Sequence, residues 1–354
     1  MTSDTAIHGN AQNFDWLDSW RKNVNKDSFI AGLFDGDQPI FIIPFEVVNS
    51  RFLRAARYPG GSHANVNFPW IEASKASLVD KNSIKRLVAE IRRQRPDLHA
   101  LSLTRQLSEL ENISNPTLLL HQRLNPNPVF ALTLDRDLAE VLARGKVKRR
   151  RQKHNNHSRR YDAMGGWRVF TPQNNSKVRH ALDTFFKLKG ERLAQFGIRD
   201  PFAATDIRNF FHELFDRQIG KENPPFRLEI LEVNGKVHAL IGKSMADWGP
   251  TVEFSAIAND ELAGASPGEF LYFEDIKNCC DAGYSYYSFG LGDEPYKREW
   301  CDVEYPVFDT IIPLTVRGRI FSLLDNLKSS VTAAIKNNEK IWALVRAIRR
   351  KMAR

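Results

Sequence analysis

The sequence predicts a mixed α/β fold (an α+β mixed sheet), built as two domains with a C-terminal helix. With 354 residues and 42% apolar content, the chain is long enough for about two domains of ordinary size. Strand-like and helix-like periodicities alternate along it. An Asn234-Gly235 pair between two alternating apolar runs is the sequence signal of an antiparallel hairpin.

The predicted N-terminal domain covers residues 1–165. An amphipathic helix near residues 14–20 precedes two apolar runs joined by Asp35-Gly36-Asp37, which is the pattern of a hairpin. The later elements of this domain are a helix over 82–93 and strands over 98–103, 117–121 and 129–134. Asp135 or Asp137 then caps a helix whose later turns become a basic run ending near Met164.

The predicted C-terminal domain covers residues 166–316 and begins after the helix-breaking pair Gly165-Gly166. Its pattern gives a strand, two helices, three antiparallel strands, a helix and a last strand. These elements are predicted near residues 167–170, 178–196, 207–219, 226–230, 237–241, 251–258, 268–281 and 284–289. Residues 317–354 form a separate basic, amphipathic helical tail.

The net charge of +9 is concentrated in two segments. Residues 144–160 contain nine basic residues and no acid, and residues 317–354 contain ten basic residues against two acids, so the rest of the chain is acidic overall. The first segment could line a groove for an anionic donor or polysaccharide, hold RNA, or form a solvated helix face. Because it lacks the interleaved aromatic residues that stack on bases, we do not expect nucleic acid as a partner.

Cysteine usage and apolar runs exclude several classes of protein. Three cysteines without a Cys-x-x-Cys pattern or clustered histidines predict neither a disulfide framework nor a metal site. No run approaches the ~18 apolar residues of a membrane span, and residues 1–8 lack the pattern of a signal peptide. We therefore expect a cytoplasmic protein.

Four motifs together resemble a known family. They are Ile43-Pro44-Phe45, the basic stretch 148–153, Ser266-Pro267-Gly268, and the segment 292–297 after a strand. The chain resembles the CelD-like acetyltransferases associated with bacterial cellulose and exopolysaccharide synthesis, a branch of the GNAT superfamily related to FemAB-type aminoacyl transferases. The resemblance implies tandem GNAT-like domains of the acyl-CoA N-acyltransferase fold, the first of them degenerate.

The resemblance also implies an activity. Acetyl-CoA or another acyl-CoA would donate an acyl group to an amine or hydroxyl, on a sugar or cell-envelope precursor. Two alternatives remain open: a FemAB-like transfer from aminoacyl-tRNA, and a scaffold without chemistry in a polysaccharide-synthesis complex.

A donor site is expected where the helix after the third strand begins. Free N–H groups at a helix N-terminus and the helix dipole favour a pyrophosphate, which makes Gly264, Ser266, Pro267 and Gly268 the candidate binding residues. The alternative is a capping box, in which Ser266 caps the helix and Glu269 reaches back to it without any ligand.

Four residues are candidates for the chemistry. Asp293 could act as base, Tyr296 could protonate the leaving thiolate, and Lys297 could bind a phosphate or a carboxylate on the acceptor. Glu253, in the middle of a strand, is a second candidate base. The alternatives are a tight turn at 290–295 in which Lys297 pairs with Glu294 or Glu299, and a surface charge at position 253.

The tail carries an apolar stripe at helical spacing, with lysine and arginine in its last turns. The stripe contains Ile320, Leu324, Leu327, Val331, Ala334, Ile341, Val345, Ile348 and Met352. Such a helix can lie on an anionic membrane, so the inner-membrane surface and a polysaccharide-synthase complex are possible partners. Packing of the stripe on protein explains the pattern equally well.

Overall fold

The computed structural model describes residues 6–144 and 147–337. The strands are β1 (Ala6–Ile7), β2 (Ser28–Asp35), β3 (Gln38–Asn49), β4 (Arg54–Arg57), β5 (Trp70–Glu72), β6 (Ala100–Leu107), β7 (Glu109–Leu110), β8 (Ile113–Ser114), β9 (Arg123–Leu124), β10 (Val129–Thr133), β11 (Trp167–Phe170), β12 (Phe226–Val233), β13 (Lys236–Ala246), β14 (Gly249–Ile257), β15 (Tyr286–Leu291), β16 (Val303–Tyr305) and β17 (Val307–Pro313). The helices are α1 (Phe14–Asn23), α2 (Lys81–Gln94), α3 (Leu138–Ala143), α4 (Val147–Ala163), α5 (Asn175–Gln195), α6 (Thr205–Asp216), α7 (Pro267–Asp281), α8 (Pro295–Trp300) and α9 (Val316–Asn337). Within these ranges, none of the helices has the length and apolar character needed to cross a membrane.

The described residues divide into two compact units. The first unit runs to Pro128 and resumes at Tyr305, and the second unit is Val129–Glu304. These limits differ from the sequence-based limits at 165 and 316, because β10 pairs with β15 while β17 pairs with β6. The local periodicity of a sequence does not indicate which distant strands will pair. The later part of the predicted tail, with Ala334, Ile341, Val345, Ile348 and Met352, lies outside the described side chains.

The first unit is built on one mixed sheet. Its strand order is β1-β5-β3-β4-β6-β17-β9, with β2 paired to β3. The expected hairpin is confirmed as β2 and β3, and β4 runs parallel to β6 after the crossover through α2. The apolar face of α2, with Ile84, Leu87 and Ile91, is buried in the core of this unit. The expected strand at 117–121 is wrong, since Pro116–Leu119 forms a short 3-10 helix.

The second unit repeats this arrangement. Its sheet has the order β11-β12-β13-β14-β15-β10-β16, and β12, β13 and β14 are antiparallel neighbours. The helix α7 then leads to β15, which is parallel to β14. Three antiparallel strands, a helix and a parallel fourth strand therefore occur in both units, in agreement with the predicted mixed, tandem fold.

Two helices of the second unit bury phenylalanine-rich faces. Apolar positions in α5 and α6 recur at helical spacing and are buried against the sheet. Around Phe254 of β14, the rings of Phe185, Phe202, Phe211 and Phe215 lie with centroids 4.4 to 6.3 Å away. This packing fixes α5 beside β14, which matters for the site below.

A buried polar network ties α7 to the sheet. The Lys243 ammonium lies 2.5 Å from Asp275 Oδ1 of α7 and 3.4 Å from Glu229 of β12. The hydroxyl of Tyr287 donates to Asp275 Oδ2 at 2.7 Å, and Thr171 donates to Glu229 at 2.8 Å. Burial opposes the charge on Lys243, but Asp275 and Glu229 outweigh that cost and raise its pKa.

Candidate active site

A cavity of about 600 Å³ lies within the second unit, between α5, β14, α7 and α8. It opens where β14 and β15 separate. These two parallel strands are bridged at a single register pair, Thr251 and Ser288, whereas β14 continues to Ile257. Residues 255–258, at the end of β14 and just beyond it, line the cavity, so this edge of β14 faces the cavity and not a neighbouring strand.

The first turn of α7 forms one wall of the cavity. Ser266, Pro267 and Gly268 line it, whereas Gly264 is not among the lining residues. A Cβ atom on Gly268 would lie 2.3 Å from Cδ1 of Ile257, so glycine is required for the close approach of α7 to β14. The capping box is not formed, because Ser266 adopts the left-handed conformation (φ 47°) without a side-chain bond to the helix. The first free N–H groups of α7 therefore have no side-chain cap from Ser266.

The charge of Glu269 at this turn is neutralised by α4. Its carboxylate pairs with Lys153, and the neighbouring Arg150 donates to the main-chain oxygen of Glu299 and covers the Trp300 ring at 4.2 Å. The basic run is thus partly engaged in packing. Other residues of the run, Arg149, Arg151 and Arg159, are exposed.

His154 also packs against α7. Its ring stacks on Phe270 and Phe273 with centroids 4.4 and 4.1 Å away, and Nε2 lies 2.6 Å from Glu274. His154 is therefore part of the packing between α4 and α7, although it lies in a run of basic residues. The sequence did not indicate this contact, because α7 lies far from His154 along the chain.

Two tyrosines lie side by side at the cavity wall formed by α7 and α8. Both Tyr296 and Tyr272 line the cavity, and their rings stack with centroids 5.7 Å apart. The Tyr272 hydroxyl lies near the hydroxyls of Ser255 and Tyr296, but neither contact has the geometry of a hydrogen bond. Burial raises the pKa of both tyrosines, so both hydroxyls are protonated and able to donate at neutral pH.

The other candidate residues lie outside the cavity lining. Asp293 is held by Arg298 in a bidentate pair of 2.6 and 2.8 Å. The buried Lys297 donates to the main-chain oxygen of Leu291 at 2.8 Å and pairs with Glu294 at 2.9 Å. The alternative in which Lys297 pairs with Glu294 is thus confirmed, and the segment 290–294 leads directly into α8, which begins at Pro295.

Glu253 accepts a hydrogen bond of 2.6 Å from the Ser244 hydroxyl on β13. It is half-buried and does not line the cavity. The structure thus brings Tyr296 together with Ser266, Pro267 and Gly268 in the cavity lining, which does not include Asp293, Lys297, Glu253 or Gly264. Their functional roles stay predictions.

Among the residues that line the cavity, Lys189, Arg192, Tyr272 and Glu294 were given no functional role by the sequence analysis. Lys189 and Arg192 are three positions apart on α5 and therefore share a face, which the helical periodicity could have indicated. The sequence did not indicate which element this face of α5 would pack against. Glu294 stands beside the chosen Asp293, and only the start of α8 at Pro295 decides which of the two carboxylates turns to the cavity.

No group of three or more His, Cys, Asp or Glu side chains within residues 6–144 and 147–337 is placed to hold a metal ion. Cys279 and Cys280 are buried free thiols, and Cys301 is half-buried. Burial raises the pKa of Cys301 to about 12, which makes it a poor nucleophile.

The comparisons with known proteins agree with this geometry. Residues 148–298 match the family model described as an acetyltransferase (GNAT) domain. No curated protein sequence matches the chain at a significant level.

Several solved structures share the fold. FemX has 10% sequence identity and a TM-score of 0.56, covering 88% of this chain and 94% of its own. The C-terminal domain of a putative lysylphosphatidylglycerol synthetase from Agrobacterium fabrum has 14% identity and a TM-score of 0.53, with 90% of this chain and 96% of that one covered. A conserved protein of unknown function from Bacteroides thetaiotaomicron VPI-5482 has 13% identity and a TM-score of 0.51, covering 86% and 91%. At these identities the likeness concerns the fold alone.

Proposed function

We propose that this chain, whose residues 148–298 carry a GNAT acetyltransferase domain, transfers an acyl group from acyl-CoA to an amine or hydroxyl acceptor. One observation carries the proposal. A single cavity joins the free N-terminus of α7, the unpaired edge of β14 and two protonated tyrosine hydroxyls. Acyl transfer from a thioester needs an anion site, an extended groove and a proton donor, and these three features supply them.

The donor half of the site is proposed at α7 and β14. The amide groups of Gly268 and Glu269 in the first turn would bind the pyrophosphate, since they lack intrahelical acceptors. Pro267 has no N–H, and the Ser266 N–H donates to the main-chain oxygen of Ala263 at 3.1 Å. Lys153 neutralises Glu269 and so removes the repulsion that this carboxylate would exert on a phosphate. The pantetheine arm would lie along the unpaired edge of β14 toward Ser255.

The reacting half is proposed at α8. Glu294 would accept the proton of the acceptor's amine or hydroxyl as its nitrogen or oxygen attacks the thioester carbonyl. Breaking of the carbon–sulfur bond would release the CoA thiolate, which takes its proton from Tyr296. The Tyr272 hydroxyl has no hydrogen-bond partner and is a candidate donor to the oxyanion of the intermediate.

Calorimetric titration with acetyl-CoA tests the donor assignment, and absence of binding at millimolar ligand would refute it. The roles at α8 are tested by Tyr296→Phe and Glu294→Gln, which should keep affinity for acetyl-CoA and lower turnover by about 10²-fold or more. Asp293→Asn is the competing variant. If it lowers turnover more than Glu294→Gln does, the sequence-based assignment of the base to Asp293 is right and ours is wrong.

The acceptor is proposed to be a sugar or envelope precursor in exopolysaccharide synthesis, on the basis of the motif resemblance. The alternative donor, aminoacyl-tRNA, is favoured if charged tRNA binds and acetyl-CoA does not. A scaffold without chemistry is favoured if neither donor binds and the chain co-purifies with a polysaccharide synthase.

We further propose that α9 places the protein on an anionic membrane surface. Along this helix, Leu323, Leu324 and Leu327 are exposed by 61 to 70%. Its polar side is held by Arg123, which pairs with Asp325 at 2.7 Å and donates to Asn326 at 2.8 Å. These three leucines therefore face outward, and the sequence that follows this helix is rich in lysine and arginine.

Co-sedimentation with vesicles tests this placement. Binding is expected to phosphatidylglycerol vesicles and not to phosphatidylcholine vesicles, and Leu323→Glu with Leu327→Glu should abolish it. Equal binding of the variant and the wild type would contradict the proposal, and a concentration-dependent dimer that the variant disrupts would assign the stripe to a protein interface.

A further inference from the structure

The charged residues that line the cavity are unevenly paired. Of its three carboxylates, Glu269 pairs with Lys153, Glu294 pairs with Lys297, and Glu299 lies in the field of Arg150. None of these three cations lines the cavity itself. The negative charges of the cavity wall are thus compensated by cations that are not part of the cavity lining.

The two cations of the wall are not compensated in this way. Lys189 and Arg192 lie on one face of α5, and neither forms an ion pair with a carboxylate of the described residues. The bond found for the Lys189 ammonium is to the main-chain oxygen of Ser255, at 3.2 Å. Burial and the nearby Arg192 lower the pKa of Lys189, and the more distant charges of Glu294 and Asp200 offset this lowering only in part. An anion placed between Lys189 and Arg192 would therefore relieve an existing cost.

The position of these cations separates them from the proposed phosphate site. Lys189 reaches Ser255, which also lies beside the Tyr272 hydroxyl, whereas the first turn of α7 packs on Ile257 through Gly268. Ser255 and Ile257 are separated by about 6.6 Å along an extended strand. Lys189, with Arg192 on the same face of α5, therefore lies at the reacting end of the cavity, on a different wall from the first turn of α7.

We infer that Lys189 and Arg192 bind an anionic group of the acceptor, a carboxylate or a phosphate, and so select acceptors that carry one close to the nucleophile. This inference rests on the proposed acyl transfer and names the acceptor class for the same cavity. The sequence suggested Lys297 for the binding of a phosphate or carboxylate on the acceptor. We assign this role to Lys189 and Arg192 instead, because the Lys297 ammonium already contacts Leu291 and Glu294. Arginine suits the task because its planar guanidinium can bind carboxylate or phosphate in a bidentate manner.

The test uses three amines that differ in one group: ethanolamine, β-alanine and O-phosphoethanolamine. Their binding to the full chain is measured by calorimetry with and without saturating CoA. The two anionic amines are expected to bind at millimolar concentration or tighter in the presence of CoA, and the neutral one is not. The carboxylate and phosphate arms show which anion is preferred.

Variants of the two cations test the assignment. Lys189→Met and Arg192→Gln should each weaken binding of the preferred anionic amine by about tenfold or more, because each removes a charge-assisted hydrogen bond. Lys187→Met is the matched control, since Lys187 is an exposed lysine on the same helix that does not line the cavity. Arg192 is exposed, so its variant should fold even if the Lys189 variant does not.

Each outcome decides the inference. If CoA abolishes binding of the anionic amines, the two cations serve the phosphates of the donor and the inference is wrong. It is also wrong if all three amines bind alike, if none binds, or if the Arg192 variant binds like the control.

Acyl transfer to the same amines is measured separately. Selective anion binding without transfer would contradict the proposed function and leave the anion site standing. Transfer to ethanolamine at the rate of the anionic amines would support the function and contradict the anion site.

Discussion

The Lys243 network offers the sharpest test of how the second unit is held together. Lys243→Met removes the cation that separates two buried carboxylates, Asp275 at 2.5 Å and Glu229 at 3.4 Å. Breaking a buried ion pair by removing one partner costs about 3–5 kcal/mol, because the remaining charge stays buried. For a unit of this size, that corresponds to a fall in melting temperature of roughly 6–20 °C.

The same strand provides a matched control. Lys236 lies at the start of β13, and its 3.0 Å pair with Asp260 is exposed on the lysine side. Because solvent screens such a pair, Lys236→Met should change the melting temperature little. Scanning calorimetry of the full chain is the assay, and comparable melting temperatures for the two variants would refute the buried-network explanation.

The pH dependence gives a second check on the same variant. Burial already raises the pKa of Glu229, and loss of the Lys243 charge should raise it further. The folded state then binds protons more readily than the unfolded chain, so the stability lost in Lys243→Met should shrink as the pH falls from neutral toward about 4. A loss that grows on acidification would contradict this reasoning.

Three further predictions concern the cavity. Gly268→Ala should displace the first turn of α7 from Ile257, weaken acetyl-CoA binding and lower the free energy of unfolding by about 1–3 kcal/mol; unchanged binding and stability would contradict the close approach. Lys153→Met should weaken acetyl-CoA binding by leaving Glu269 unpaired, and adding Glu269→Gln should restore it; failure of this rescue in calorimetry would show that Lys153 acts otherwise. Tyr272→Phe should leave thermal stability unchanged, because its hydroxyl has no hydrogen-bond partner, and lower turnover; a destabilised variant with normal turnover would give this hydroxyl a structural role.

Most elements of the second unit were predictable, because their signals are local. The Asn234-Gly235 turn supplies the positive φ angles that a tight hairpin requires, and it joins β12 and β13 as expected. The buried positions of α5 and α6 recur at helical spacing, so both helices could be located from periodicity. The role of Ser266 was less predictable, because the same local sequence is compatible with a capping box and with an uncapped Ser266 in the left-handed conformation.

The membership of the cavity could not be predicted from the sequence. Lys189, Ser255, Tyr272 and Glu294 lie on different elements, and they meet only because α5 packs on β14 and α8 follows β15. The choice between Asp293 and Glu294 depends on a helix start at Pro295, which the sequence left open as a tight turn.

The sequence by itself determined the order of strands and helices from β11 to β15, the mixed α/β class, the hairpin at Asn234-Gly235 and the position of α7. These features follow from local backbone preferences and from which positions in each element are apolar. Only the tertiary structure decided which charges are compensated, which helix N-terminus is left uncapped and which side chains share the cavity. Those properties depend on contacts between residues distant in the chain, and no local pattern encodes which elements will pack together.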